Sequence, residues 1–163
     1  PLLVDPDVHD HTRVGDEPLL LSTLAPAWVS RSRKAGCEAA ARAGADLIIM
    51  DDGFQNPYIH KDVAIIVVDG GFGFGNARMI PAGPLRESIA GGLARADACV
   101  VIGEDTTGAL DIVSSCGLSP LRAKLVADTL SGSASSGPVI AFAGIGRPKK
   151  FFNTLLLRSH TLS

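Results

Sequence analysis

The chain has 163 residues, 46% apolar and 20% charged, which is typical of one folded globular domain with at most part of a second. Its formal net charge of −2 excludes the basic surface that nucleic-acid binding requires, so no nucleic-acid partner is expected. Three widely spaced cysteines form no CxxC pair, which argues against a zinc site or a disulfide framework. No apolar run reaches the length of a membrane span. The first residue is not Met, and we expect a fragment of a longer protein.

Predicted helices and strands alternate along the chain. In chain order they are a helix over 31–45, strands over 47–51 and 63–68, a helix over 87–96, a strand over 98–102, a helix over 107–115, strands over 121–126 and 139–143, and a helix over 148–157. A stretch rich in Ser and Gly, 131–137, predicts a flexible surface loop. The alternation predicts an α/β fold, with a mostly parallel sheet and helices on its faces.

The predicted strand over 47–51 runs into two adjacent carboxylates, Asp51 and Asp52, and then Gly53. A short apolar run of this kind predicts a strand that is buried on both faces. In a parallel sheet, ligands bind at the carboxyl ends of the strands. Paired carboxylates at that edge suit a Mg²⁺ ion that arrives with substrate phosphates. The alternative is an ordinary acidic turn, because Asp and Gly are common turn residues.

A glycine-rich stretch, Gly71–Gly75, follows the next strand and suggests the dinucleotide loop of an NAD-dependent Rossmann oxidoreductase. That fingerprint needs a helix to begin inside the glycines, whereas Pro81 and Pro84 follow here and predict an extended, stiffened loop. Arg86 comes next, just before a predicted helix, where its planar guanidinium can hold a phosphate. The alternative for Arg86 is a surface ion pair with Glu87 or a nearby acid.

Two further acids, Asp16 and Glu17, lie between Gly15 and Pro18. A turn at this position would fix both side chains in space, as a catalytic base requires. The alternative is a helix N-cap or a solvated turn. Arg33 is expected in the first turn of a solvated helix, from which it can reach an anionic ligand.

Taken together, these motifs resemble those of one family. The stretches GDEPLLL, IIMDDGFQNP, VVDG followed by GFGNAR and PAGPLRE, and AFAGIGRPKKFF are similar in order and spacing to those of the tetraacyldisaccharide 4′-kinases of lipid A biosynthesis. The resemblance implies a P-loop NTPase-like α/β fold. It also implies an ATP-dependent, Mg²⁺-using kinase that phosphorylates the 4′-hydroxyl of the tetraacyldisaccharide 1-phosphate precursor of lipid A. Such an enzyme works at the cytoplasmic face of the bacterial inner membrane, which it would contact through segments that this sequence lacks.

The resemblance also implies roles for individual residues. The catalytic group comprises Asp16, as the general base that accepts the sugar hydroxyl proton, with Glu17, Arg86 and Glu87.

The cofactor-binding group implied by the resemblance comprises Asp51, Asp52, Gln55 and Arg33. Asp51 and Asp52 would hold Mg²⁺ and the ATP phosphates. These roles match what phosphoryl transfer needs, namely a metal, a cationic clamp and an oriented nucleophile.

The sequence also departs from the family pattern. No GxxxxGK[ST] motif occurs in it, although the family has such a P-loop upstream. Residues 1–117 are expected to be the later part of a P-loop kinase-like domain, and residues 118–163 the truncated start of a smaller second α/β domain. We therefore expect the fragment alone to be inactive, and a non-catalytic nucleotide-binding remnant is the alternative.

Overall fold

The computed structural model describes residues 1–126, Ile140, Phe142, Pro148 and residues 151–153. Its elements are, in order, β1 (Leu2–Leu3), α1 (His11–Val14), α2 (Asp16–Ser22), β2 (Trp28–Val29), α3 (Arg33–Arg42), β3 (Ile65–Asp69), α4 (Ile89–Leu93), β4 (Ala98–Ile102), α5 (Ala109–Ser115) and β5 (Pro120–Ala123). The predicted strand over 139–143, the loop over 131–137 and most of the helix over 148–157 lie outside the described residues. No helix in the described ranges is long and apolar enough to cross a lipid bilayer.

A three-stranded parallel sheet with the order β3-β4-β5 organises the larger part of the molecule. In the register, Ile65 lies opposite Ala98, and Cys99 lies opposite Pro120. Helix α4 connects β3 to β4, and α5 connects β4 to β5, so the chain forms two successive βαβ units. The predicted α/β fold with a parallel sheet is confirmed, because parallel neighbours need crossover connections of this kind.

One compact cluster forms the core of the sheet. It joins the two crossover helices to one face of the central strands, and its members are Val68, Leu93, Cys99, Val101, Ala109 and Val113. The opposite face of β3 is open, with Ile65 and Val67 exposed to 53% and 61%. Burial is therefore concentrated where α4 and α5 pack.

The predicted strand over 47–51 is wrong. Residues 47–50 belong to no helix or strand, and Leu47 and Ile49 are 78% and 85% exposed. A strand needs a neighbour that takes up its backbone hydrogen bonds, and no described strand pairs with this segment. The segment instead lines a groove of about 1190 Å³ whose lining also includes β3. Apolar composition alone therefore does not create a strand.

The sheet continues past the predicted domain boundary near Gly117. The strand β5 pairs in parallel with β4 and is shorter than the predicted strand over 121–126. The first residues after the boundary therefore belong to the same sheet. The division into two domains stays a prediction.

The first part of the chain contains a second, two-stranded sheet. Strands β1 and β2 pair antiparallel, which the composition did not predict. The predicted turn around Asp16 and Glu17 is the start of α2, and Gly15 precedes it with a left-handed φ of 89°. Ser32 caps α3 by accepting a hydrogen bond from the Ala35 amide. The interpretation of Asp16 as a turn residue is thus corrected to a first-turn helix residue.

Candidate functional site

The two adjacent carboxylates lie in a tight turn on the lining of the groove. Asp52 has a left-handed φ of 50°, a conformation that aspartate tolerates better than most residues. Gly53 is buried, and a Cβ there would lie 2.6 Å from the Cβ of Met50, so the turn requires glycine. Asp51 and Asp52 both remain exposed and line the groove.

Arg86 binds Asp52 directly. Its Nη1 donates to both carboxylate oxygens of Asp52, at 2.7 and 2.8 Å. Both side chains are more than half exposed, so the pair is open to solvent and to ligands. Arg86 therefore forms the surface ion pair that the sequence offered as its alternative role. Its partner is Asp52 rather than Glu87. The same donor can exchange a carboxylate for a phosphate, since both present oxygen acceptors to guanidinium.

Glu87 is held from two sides. Arg95 donates to its carboxylate through Nη1 at 2.6 Å and Nη2 at 2.9 Å, and Gln55 donates through Nε2 at 3.1 Å. The hydrogen bonds from Arg95, aided by that from Gln55, hold the pKa of Glu87 below its usual range. The structure thus brings three of the residues expected at the site, Arg86, Glu87 and Gln55, into one network with Asp52.

Sequence reasoning missed Arg95 and Phe54. The Arg95 guanidinium carbon lies 5.0 Å from the centre of the Phe54 ring, a cation–π distance. Glu87 precedes α4 and Arg95 follows it, eight residues later, so neither helical pairing nor any motif predicts their contact. No sequence signal would have found this pair.

Three expected site residues lie apart from this network. Asp16 and Glu17 are exposed in the first turn of α2, and Arg33 is exposed at the first residue of α3. None of the three lines the groove. Within the described part of the chain, their side chains make no hydrogen bond or ion pair with Asp52, Arg86 or any other residue. Their carboxylates and guanidinium therefore face solvent.

The donor set at the site suits a metal that brings its own ligands. No group of three or more His, Cys, Asp or Glu residues within the described ranges is arranged to hold a metal ion. Asp51 and Asp52 offer two carboxylates at most. Mg²⁺ commonly takes one or two carboxylates and completes its shell with phosphate oxygens and water, so these residues fit that ion together with a nucleotide.

The glycine-rich loop serves close packing rather than a dinucleotide fingerprint. A Cβ at Gly73 would clash with the Thr107 hydroxyl, and one at Gly70, just before the loop, would lie 2.5 Å from the carbonyl oxygen of Glu104. No helix begins inside Gly71–Gly75, because the next helix starts at Ile89. The feature that a Rossmann cofactor site requires is therefore missing from this loop.

Known proteins match nearly the whole chain. The family model described as tetraacyldisaccharide-1-P 4′-kinase matches residues 1–162. A tetraacyldisaccharide 4′-kinase of Rhodospirillum centenum is 56% identical over 156 residues, covering 95% of this chain and 46% of that protein. The one of Paramagnetospirillum magneticum is 54% identical over 155 residues, covering 95% and 48%. The chain thus spans about half the length of the curated relatives that it matches. No solved structure matches it significantly.

Proposed function

Because the chain belongs to the tetraacyldisaccharide-1-P 4′-kinase family, we propose that it supplies phosphate- and metal-facing residues of an ATP-dependent kinase. The proposed reaction phosphorylates the 4′-hydroxyl of the tetraacyldisaccharide 1-phosphate precursor of lipid A. The observation that carries the proposal is the contact between Arg86 and Asp52, next to Asp51 on the groove. Phosphoryl transfer depends on such juxtaposed acidic and cationic groups, because positioning and electrostatics supply most of the catalysis.

Asp51, Asp52 and Arg86 have different proposed roles. Asp51 and Asp52 would hold Mg²⁺ together with the ATP phosphates, and the metal would neutralise phosphate charge when bound. Arg86 would turn its guanidinium from Asp52 toward a phosphate oxygen. Gln55 and Arg33 are proposed to bind the nucleotide, Gln55 from beside Arg86 and Arg33 from the start of α3.

The sugar hydroxyl needs a base. We propose this role for Asp16, with Glu17 beside it, as the resemblance of the GDEPLLL stretch to the family motif implies. Both carboxylates are exposed at the start of α2 and accept no hydrogen bond from the rest of the described chain, so a substrate hydroxyl can approach either of them. The proposed lipid acceptor carries acyl chains, which favours work at a membrane surface, and the family resemblance implies the cytoplasmic face of the inner membrane.

A hybrid enzyme tests this proposal with the residues of this chain. In it, the 156-residue segment of the Rhodospirillum centenum kinase that matches this chain is replaced by the residues of this chain. The hybrid is expected to transfer phosphate from ATP to tetraacyldisaccharide 1-phosphate when Mg²⁺ is present. The unaltered relative is the positive control.

A hybrid carrying Asp51→Asn and Asp52→Asn together is the matched negative control and should be inactive. A hybrid that unfolds as cooperatively as the relative but transfers no phosphate would contradict the proposal. If the first hybrid does not fold, the Paramagnetospirillum magneticum kinase provides a second framework for the same replacement.

A further inference from the structure

We propose that Arg95 is a positioning residue, which fixes Glu87 so that Glu87 orients the Gln55 amide toward Arg86. This inference rests on the proposed function, because Arg86 and Asp52 are its end points. Nothing in the family motifs draws attention to Arg95, which lies outside them all.

Arg95 is itself held in one geometry. Two of its guanidinium nitrogens donate to the two different oxygens of Glu87, and Nη1 also donates to the Gly91 carbonyl at 3.2 Å. The guanidinium carbon lies over the Phe54 ring, 5.0 Å from its centroid. A guanidinium that is bound through two nitrogens and placed over an aromatic ring has little freedom to rotate.

These contacts engage both carboxylate oxygens of Glu87. Its Oε2 accepts from Arg95, and its Oε1 accepts from both Arg95 and Gln55. The lowered pKa of this carboxyl, caused chiefly by the Arg95 hydrogen bonds, supports an acceptor that stays ionised. Glu87 is thus suited to hold a neighbour in place rather than to exchange a proton during a reaction.

The orientation of Gln55 follows from the chemistry of its neighbours. A carboxylate only accepts hydrogen bonds, so the amide nitrogen of Gln55 must face Glu87. The amide oxygen then faces the other way, toward Arg86 Nη1 at 3.5 Å, a long contact. Arginine only donates, so this side of the amide is also fixed. Arg95 therefore acts on Arg86 and Asp52 through two intermediate side chains.

The network is better suited to positioning than to stability. The side chain of Arg95 is 53% exposed, and exposed ion pairs contribute little to folding stability. Small displacements of catalytic groups, by contrast, lower rates steeply. Loss of Arg95 should thus change the geometry around Gln55 and Arg86 while the fold persists.

The first test needs no enzyme activity. Gln55 is the only glutamine in the sequence, so correlation to its side-chain carbons separates its amide signals from those of the three asparagines in NMR spectra of the 163-residue chain. Arg95→Ala should shift both signals and speed their hydrogen exchange, and Arg95→Lys should shift them less. Arg42→Ala, an exposed change on α3, is the control and should leave them in place. Unchanged Gln55 signals in Arg95→Ala would overturn the proposal.

The second test uses the hybrid enzyme. Arg95→Ala should lower kcat by about 10-fold, the smaller end of what loss of a supporting partner costs, with the KM for ATP little changed. Arg95→Lys should recover part of the rate, and Arg42→Ala should keep all of it. If the NMR signals move but kcat does not, Arg95 orders the loop without serving the reaction, and the proposal is wrong. An inactive hybrid with Arg95 intact would instead count against the proposed function.

Discussion

Arg86 and Asp52 are 34 residues apart in sequence and form an ion pair. A single guanidinium nitrogen of Arg86, Nη1, lies 2.7 and 2.8 Å from the two carboxylate oxygens of Asp52. The cation expected to hold phosphate thus holds the carboxylate expected to hold Mg²⁺. In this structure the guanidinium of Arg86 and the carboxylate of Asp52 bind each other. When a metal and a nucleotide bind, each side chain would gain a more highly charged partner. Asp52 would bind a divalent cation, and Arg86 would bind a phosphate.

Arg86→Lys in the hybrid enzyme should lower kcat, even though the charge is kept. Lysine offers a point charge in place of the planar fork. The loss should be smaller than the roughly 10²–10³-fold that removal of a whole electrostatic donor costs. Steady-state kinetics with ATP measure it, with Arg42→Lys as the control. Unchanged kinetics would show that Arg86 is only a surface charge without a role in the reaction.

Asp51→Asn and Asp52→Asn, made singly, should each lower turnover of the hybrid by orders of magnitude without unfolding it. Asparagine keeps the shape but removes the negative charge that a hard cation requires. The exposed pair with Arg86 contributes only about 0–1 kcal/mol to folding, so the unfolding temperature should change little. Asp111→Asn, exposed on α5, is the control. Near-normal rates in both variants would end this assignment.

Asp16→Asn should lower kcat of the hybrid by about 10²–10⁴-fold and leave the KM for ATP nearly unchanged, as expected for loss of a general base. The acid limb of the pH–rate profile should change as well. Glu17→Gln, the same acid-to-amide change at the neighbouring residue, is the matched comparison. If Asp16→Asn instead weakens ATP binding and keeps kcat at saturation, Asp16 binds the nucleotide, and Glu17 becomes the candidate base.

The chain of 163 residues by itself should transfer no phosphate from ATP to tetraacyldisaccharide 1-phosphate. It contains no GxxxxGK[ST] motif, whose backbone amides and lysine cradle nucleotide phosphates. Product formation is measured with chain and lipid at equal concentrations, and the hybrid enzyme is the control. Mg²⁺-dependent product from the chain alone would disprove this prediction.

Asp105 should make the fold sensitive to acid. Its carboxylate accepts hydrogen bonds from the backbone amides of Leu110, Thr107 and Ala109, which hold its pKa at about 2. A folded-state pKa below the unfolded value of about 4 stabilises the fold above that value. The stabilisation is lost as the pH falls toward about 2.

Urea unfolding of the chain measures this effect. The midpoint of Asp105→Ala should be lower than that of the parent at pH 6, and the two should converge as the pH falls below about 4. Asp111→Ala, in the first turn of α5, controls for loss of a charge near the helix start. A difference that persists unchanged to low pH would show that Asp105 does not act through its ionised form.

The sequence by itself determined the α/β class, the parallel sheet and the family. Strand β4 has the bounds that its apolar run predicts, and α3 and α5 lie within their predicted ranges. These features are readable because periodicity, caps and strand propensity act over a few neighbouring residues. The order of the motifs identified the family, and the place of Asp51, Asp52 and Arg86 next to predicted elements made them candidate site residues.

Only the tertiary structure decided which of these residues meet. It paired Arg86 with Asp52 rather than with Glu87, and it brought in Arg95, which no motif contains. It also left residues 47–49 exposed, although their composition predicts a buried strand. A strand and an ion pair both depend on partners remote in sequence. Local composition records what a segment prefers, whereas its neighbours in space decide whether that preference is satisfied.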